Sequence, residues 1–181
     1  MDFGRNERIA IRPWQMSDAR AWQQTSQDAG LNQNSISGYK QRDLTGAKIF
    51  IRNEMADFEN SRLGRWPIVR TSDHALIGTC LLRPVSFDET PERREVELGY
   101  RLTRDNWGQG LATECGRMLL NYGFRRVGLE NICAFAVADN KASLRVIEKL
   151  GFVARGERRF MKHKVLVFDT TAADWERMQL A

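Results

Sequence analysis

Trp107-Gly108-Gln109-Gly110-Leu111-Ala112 is the run that decides how this chain of 181 residues is read. It lies between a strand-like segment at 95–102 and a helix-like one at 110–126. Two glycines one residue apart let backbone approach a ligand with no Cβ atoms in the way. A helix starting at the second glycine turns its unpaired N–H groups and positive dipole end into the same space. Strand, glycine turn and helix N-terminus together form an anion cradle, best suited to a phosphate or pyrophosphate. The run is not a dinucleotide fingerprint, because Thr113 stands where G-x-G-x-x-G needs its third glycine. A Walker loop is excluded too, since no Gly-Lys-Ser/Thr follows. A plain strand-to-helix turn is the bland alternative.

Just upstream, the alternation in Glu95-Val96-Glu97-Leu98-Gly99-Tyr100-Arg101-Leu102 puts Val96, Leu98, Tyr100 and Leu102 on one face. Glu95, Glu97, Gly99 and Arg101 fall on the other. A carboxylate on a strand that leads straight into a phosphate loop is a candidate general base; a solvated strand face with a Glu–Arg pair is the alternative. Downstream, 132–138 is an unbroken apolar run, as in a central strand covered on both faces. Asn140 follows it, at the carboxyl end of a strand where open sheets place ligands, and can equally cap a helix over 141–150 that Gly151 stops. Ser143 lies one turn on, on the same helix face. The basic residues Arg101, Arg104, Arg117, Lys141 and Arg145 flank these motifs and are either phosphate partners or solvent-facing charges.

The rest of the chain frames this unit. A short strand over 8–12 closes at Pro13, and a helix over 18–27 has Ser17 as its N-cap. The polar stretch 26–45 reads as a mobile loop or broken helices. A helix over 47–63 precedes three strands at 66–71, 75–83 and 95–102, an antiparallel meander with turns at Ser72-Asp73 and 84–91. A final strand pair covers 152–161 and 164–170. Strands, then strand–helix–strand–helix, then strands imply an α/β (α+β) chain: one domain over 1–181, a mixed sheet of about seven strands and helices on both faces.

Hydrophobic residues make up 42% and charged residues 28% of the chain, a globular balance. No stretch reaches the roughly 18 apolar residues of a membrane span, and residues 1–7 lack the apolar run of a signal peptide. Cys80, Cys115 and Cys133 sit in apolar stretches without CxxC spacing and read as buried free thiols in a reducing cytoplasm, with no metal site. His74 and His163 have no partner at catalytic or metal spacing, and Trp14, Trp66 and Trp175 read as packing. The net charge of +5 fits a polyanionic ligand, and it also fits nucleic acid, for which there is no recognition motif.

The ordered set of motifs resembles the GNAT N-acetyltransferase superfamily, within it the RimJ/RimL branch of ribosomal-protein N-terminal acetyltransferases and their small-molecule-acting relatives. The pieces are Ile11-Arg12-Pro13-Trp14 with Asp18, Glu97-Leu98-Gly99-Tyr100, Trp107 to Glu114, Asn140-Lys141-Ala142-Ser143, and Lys149-Leu150-Gly151-Phe152. The resemblance implies acetyl-CoA as cosubstrate, no metal, and an amine acceptor that is a protein N-terminus or a small molecule. It leaves a homodimer open and implies neither nucleic acid nor membrane as partner. It also implies splayed central strands, with the pyrophosphate on the N–H groups of Trp107, Gly108, Gln109, Gly110, Leu111, Ala112 and Thr113. The pantetheine arm would be held by Arg101 and Leu102 main chain and by Asn140, with Ser143 near the thioester sulfur and Glu97 as base. Two positions depart from the family pattern: Asp105 replaces the Gln or Arg that usually opens the loop, and Ile147 replaces the usual acid, a Tyr. The second departure shifts the acid's role to Ser143, and it leaves open a CoA-holding module without turnover. An α-amine, with a pKa near 8 against about 10.4 for lysine, is the easier acceptor for a carboxylate base.

Overall fold

The computed structural model describes residues 3–33, 36 and 43–180. Its strands are β1 (Gly4–Arg5), β2 (Ile9–Ile11), β3 (Gly64–Arg70), β4 (Leu76–Phe87), β5 (Thr90–Leu102), β6 (Asn131–Ala136), β7 (Val153–Phe160) and β8 (His163–Thr171). Its α-helices are α1 (Ala19–Thr25), α2 (Leu44–Ser61), α3 (Leu111–Tyr122), α4 (Lys141–Lys149) and α5 (Ala172–Leu180). The strands form one sheet in the order β1-β2-β3-β4-β5-β6-β8-β7, antiparallel except between β5 and β6. The described residues form eight strands where about seven were expected; the additional one is the two-residue β1, too short to leave a periodic signal.

Helices cover both faces. Strand alternation sends Trp66, Cys80, Leu82, Leu98 and Leu102 toward α3, where they pack with Leu111, Cys115 and Leu119. On the opposite face α1 and α2 bury Trp22, Ala47, Phe50 and Ile51 against Trp14 and Leu31. The Trp14 and Trp22 rings meet edge to face at 5.3 Å, and the Trp14 indole N–H donates to the Arg65 carbonyl at 2.8 Å. Trp14, Trp66 and Trp175 are all core residues, and the three cysteines are buried and unbridged.

Local chemistry moved several element ends. Ser17 is not the N-cap expected of it. Asp18 instead accepts from the Gln15 N–H at 2.8 Å and takes a two-pronged ion pair from Arg12, so the carboxylate that clamps the strand also starts the helix. The expected turn over 84–91 is largely strand: Pro84 and Val85 continue β4 and the chain reverses at Asp88-Glu89. The third long helix ends at Tyr122 and relaxes into a π-turn over Gly123–Val127, closed by Gly128 at φ 81°. Most of the polar stretch 26–45 that lies beyond residue 33 is outside the described residues. Helix α5 was not foreseen; Trp175 is its one buried residue and joins the main core, with Ala172 and Met178 packed against that core. No helix among the described residues is long and apolar enough to cross a membrane.

The decisive feature is the junction of β5 and β6. They run parallel but share register only at Glu97 and Cys133, whereas β4 and β5 pair from Gly78–Leu102 to Phe87–Thr90. Beyond Glu97 the two strands diverge, and a cleft of about 440 Å³ opens through the sheet between them.

Candidate functional site

The cleft is walled by 97–102 on one side and Ala134 to Val137 on the other, and it ends at the glycine loop and the first turns of α3 and α4. Gly108 and Gly110 both have positive φ, 71° and 80°, a backbone region that L-residues avoid. A Cβ built on either meets nothing within 4 Å, so side chains there would stand in open cleft. Among the described residues, the N–H groups of Gly108, Gln109, Gly110, Leu111 and Ala112 donate to no protein acceptor. Five such donors at the head of a 12-residue helix have the geometry that suits an anion. The residues present therefore fit a diphosphate.

The loop is held from outside, which leaves its inner edge clear. The Trp107 indole donates to the Leu102 carbonyl at 2.7 Å, and the Gln109 amide donates to the Asp105 carbonyl at 2.8 Å. Arg8 donates to the Gln109 carbonyl and pairs with Glu114 at 2.6 Å, tying β2 to the loop and α3. Asp105 thus serves the loop through its carbonyl. Thr113 is committed inside the helix, its N–H donating to Gly110.

The other expected residues fall as follows. Leu102 turns its carbonyl to the gap, where the Trp107 indole reaches it, while the Arg101 carbonyl faces β4 beside Gly78. The Arg101 side chain lines the cleft, as do Asn140, Ser143 and Arg145; Arg104, Arg117 and Lys141 do not. Arg104 lies over the Trp107 ring instead, 5.6 Å from its centroid. Asn140 caps α4, its carbonyl oxygen accepting from the Ser143 N–H at 3.1 Å, which leaves its amide NH₂ toward the cleft. The cap uses only the carbonyl oxygen of the side chain. Asn140→Asp should keep the cap and the melting temperature, whereas Asn140→Ala should cost about 1 kcal/mol, a drop of roughly 2–4 °C in a melting scan.

Glu97 stands at the floor of the split, with its side chain only 12% exposed, and accepts from Arg83 Nε at 3.2 Å. Its other oxygen lies 3.3 Å from where a Cβ on Gly99 would be, so a glycine there leaves the carboxylate its room. Reading the sequence missed two residues. Tyr100 reaches across to α4, its hydroxyl 3.2 Å from Ser143 Oγ, and burial pushes its pKa up to about 12. Lys149 lines the α4 wall. The alternation of 95–102 placed Tyr100 on the apolar face, and only the position of α4 shows that its hydroxyl has a partner.

Residues 8–153 match the acetyltransferase (GNAT) domain family, and the chain belongs to that family of acetyl-CoA-dependent acyltransferases. The chain is similar to the uncharacterized N-acetyltransferase YoaA of Bacillus subtilis, 33% identical over 122 residues that span 66% of either chain. Among solved structures, a ribosomal-protein alanine acetyltransferase of Vibrio fischeri superposes with a TM-score of 0.74 at 18% identity, covering 97% of this chain and 98% of that one. The RimL ribosomal alpha-N-protein acetyltransferase, solved in complex with coenzyme A, superposes at 0.78 with 14% identity, covering 94% and 98%. At such identities the solved structures establish the fold, a single α/β GNAT fold with a mostly antiparallel sheet.

Proposed function

We propose that this protein is a cytoplasmic N-acetyltransferase that moves an acetyl group from acetyl-CoA directly to an amine, in the manner of the Rim-like branch. The observation that carries this reading is the open glycine cradle, with its five unpaired N–H groups, at the end of a through-sheet cleft. Gly108 to Ala112 would hold the diphosphate, and the divergent edges of β5 and β6 would receive the arm, with main-chain groups of Leu102 and the Asn140 amide within the lining. Bound there, acetyl-CoA supplies a thioester whose acetyl carbon an amine can attack directly.

Glu97 would take the proton that the amine must lose, and a carboxylate suits an α-amine better than a lysine. At the other end of the transfer Ser143 would offer its hydroxyl hydrogen toward the cleft. Tyr100 supports that role from behind. Burial keeps the phenol protonated, and in the direction this role requires it would donate to Ser143 Oγ and leave the serine O–H to point outward. Tyr100 is thus a positioning residue. The rival reading, a coenzyme-holding module without turnover, draws on Ile147, which is buried and apolar where the family resemblance implies a Tyr acid. The Tyr100–Ser143 pair weighs against it by supplying hydroxyls from elsewhere.

Calorimetric titration with CoA, followed by thiol release from acetyl-CoA in the presence of amines, tests the whole reading. Binding with release supports it, and absence of CoA binding to folded protein removes it. For the hydroxyl pair, Ser143→Ala and Tyr100→Phe should each lower kcat about three- to tenfold with KM for acetyl-CoA unchanged. The double variant should lose no more than Ser143→Ala alone, since the two act as one unit. Multiplying losses would mean that Tyr100 does not act through Ser143.

A further inference from the structure

The two mouths of the cleft differ in character. On the α3–α4 side lie the glycine loop, Ser143 and Lys149. On the opposite face, strand alternation gathers Arg65 of β3, Thr79, Leu81 and Arg83 of β4, and Glu97, Gly99 and Arg101 of β5. Three guanidiniums line this mouth, and Glu97 is the sole carboxylate among the described lining residues. Glu54 of α2 stands behind Arg65, accepting its backbone N–H at 3.0 Å. Counting Glu54, the described residues of this wall still carry one positive charge more than negative. An amine arrives as an ammonium ion, so a polyamine or an aminosugar would meet a wall of its own sign.

We propose that the acceptor is a primary amine with a carboxylate close by, an amino acid or an acidic peptide N-terminus, and that Arg83 binds that carboxylate. The inference rests on the acetyl-transfer reading above and names its acceptor class. Arg83 gives only its Nε to Glu97; among the described residues both Nη groups are without a partner, and a third of the side chain is exposed at the cleft. The free edge of a guanidinium fork matches a carboxylate through two parallel hydrogen bonds. One arginine then organises both halves of the acceptor: its Nε edge holds the Glu97 carboxylate beside the amine, and its Nη edge holds the acceptor's own carboxylate. The neighbouring Arg65 and Arg101 add field of the same sign. A zwitterionic acceptor enters such a mouth as a neutral species, and an acidic peptide enters attracted.

Four acceptors decide the matter, with the full chain, acetyl-CoA and a thiol-release assay: a peptide beginning Ser-Glu, the same peptide with Lys in place of that Glu, free glutamate, and a linear diamine. The Ser-Glu peptide or glutamate should show kcat/KM at least tenfold above the Ser-Lys peptide and the diamine, and whichever of the two is preferred gives the source of the acceptor. Arg83→Gln should raise KM for that acceptor about fivefold and leave the CoA dissociation constant unchanged, while Arg83→Lys, which keeps the charge without the fork, should fall between. Equal or better use of the cationic acceptors would overturn the inference and leave the transferase reading standing. Acetylation of none of the four by protein that binds CoA in the calorimeter would overturn the inference, and absence of CoA binding would overturn the transferase reading with it.

Discussion

Replacing Gly110 with alanine should weaken CoA binding about a hundredfold in calorimetry while the protein still folds. Two effects act together at this position. The residue sits at φ 80° as the first, left-handed step into α3, where a side chain costs roughly 1–2 kcal/mol. That strain is small against the 5–15 kcal/mol of a typical domain and should appear as a melting temperature a few degrees lower. The larger effect is steric. The new methyl stands in the empty cradle and keeps an anion from the N–H groups of the loop. Each charge-assisted hydrogen bond is worth about 1.5–3 kcal/mol, so losing two at the low end of that range gives about the expected hundredfold. Gly128 supplies the control. It has the same left-handed backbone, φ 81°, and the same open space around a built Cβ, but lies behind the π-turn away from the cleft. Gly128→Ala should lower the melting temperature by a similar amount and leave CoA affinity untouched. Equal affinity in both variants would show that the glycine loop does not grip the coenzyme.

Glu97→Gln should reduce acetyl transfer at least tenfold at neutral pH, the low end of what a general base contributes. The amide keeps the shape of the side chain, so the packing around Gly99 and Leu81 should survive. What goes is the ability to accept a proton, together with the charge that Arg83 pairs. The deficit should depend on pH in one direction. An α-amine with a pKa near 8 is mostly protonated at pH 7 and mostly free at pH 9.5, so the variant should approach the native rate as pH rises. A deficit constant over that range would point to positioning, and an unaltered rate at all pH values would remove Glu97 from the mechanism.

How much of this was legible beforehand can be judged residue by residue. The glycine turn, the alternation of 95–102, the buried run after Ile132 and the cap at Asn140 were all visible, because each is a local pattern whose period or backbone demand is written in consecutive residues. Helix α5 was not, since Trp175 is its one fully buried side chain and gives no period. The start of α1 was misplaced because Asp18 was assigned to the helix body, when its carboxylate, drawn in by Arg12, is what caps the turn. Strand β4 ran on through Pro84 because β5, hydrogen-bonded along its length, carried it past the residue that usually ends a strand. Glu97 and Ser143 could be nominated from sequence, but the pairings that give them meaning, Arg83 with one and Tyr100 with the other, span 14 and 43 residues.

The sequence by itself determined the family, the alternation that puts Glu97 and Tyr100 on opposite faces of one strand, and the helix that starts at a glycine turn, since these follow from spacing along the chain. The tertiary structure decided the rest. Parallel strands that meet only at Glu97 and Cys133 leave a gap no local pattern encodes, and that gap sets which face each charged side chain serves. It brings Arg65, Arg83 and Arg101 to one cleft with Glu97 and lays the Tyr100 hydroxyl against α4, because distance in space, unlike distance along the chain, is fixed only when the sheet has formed.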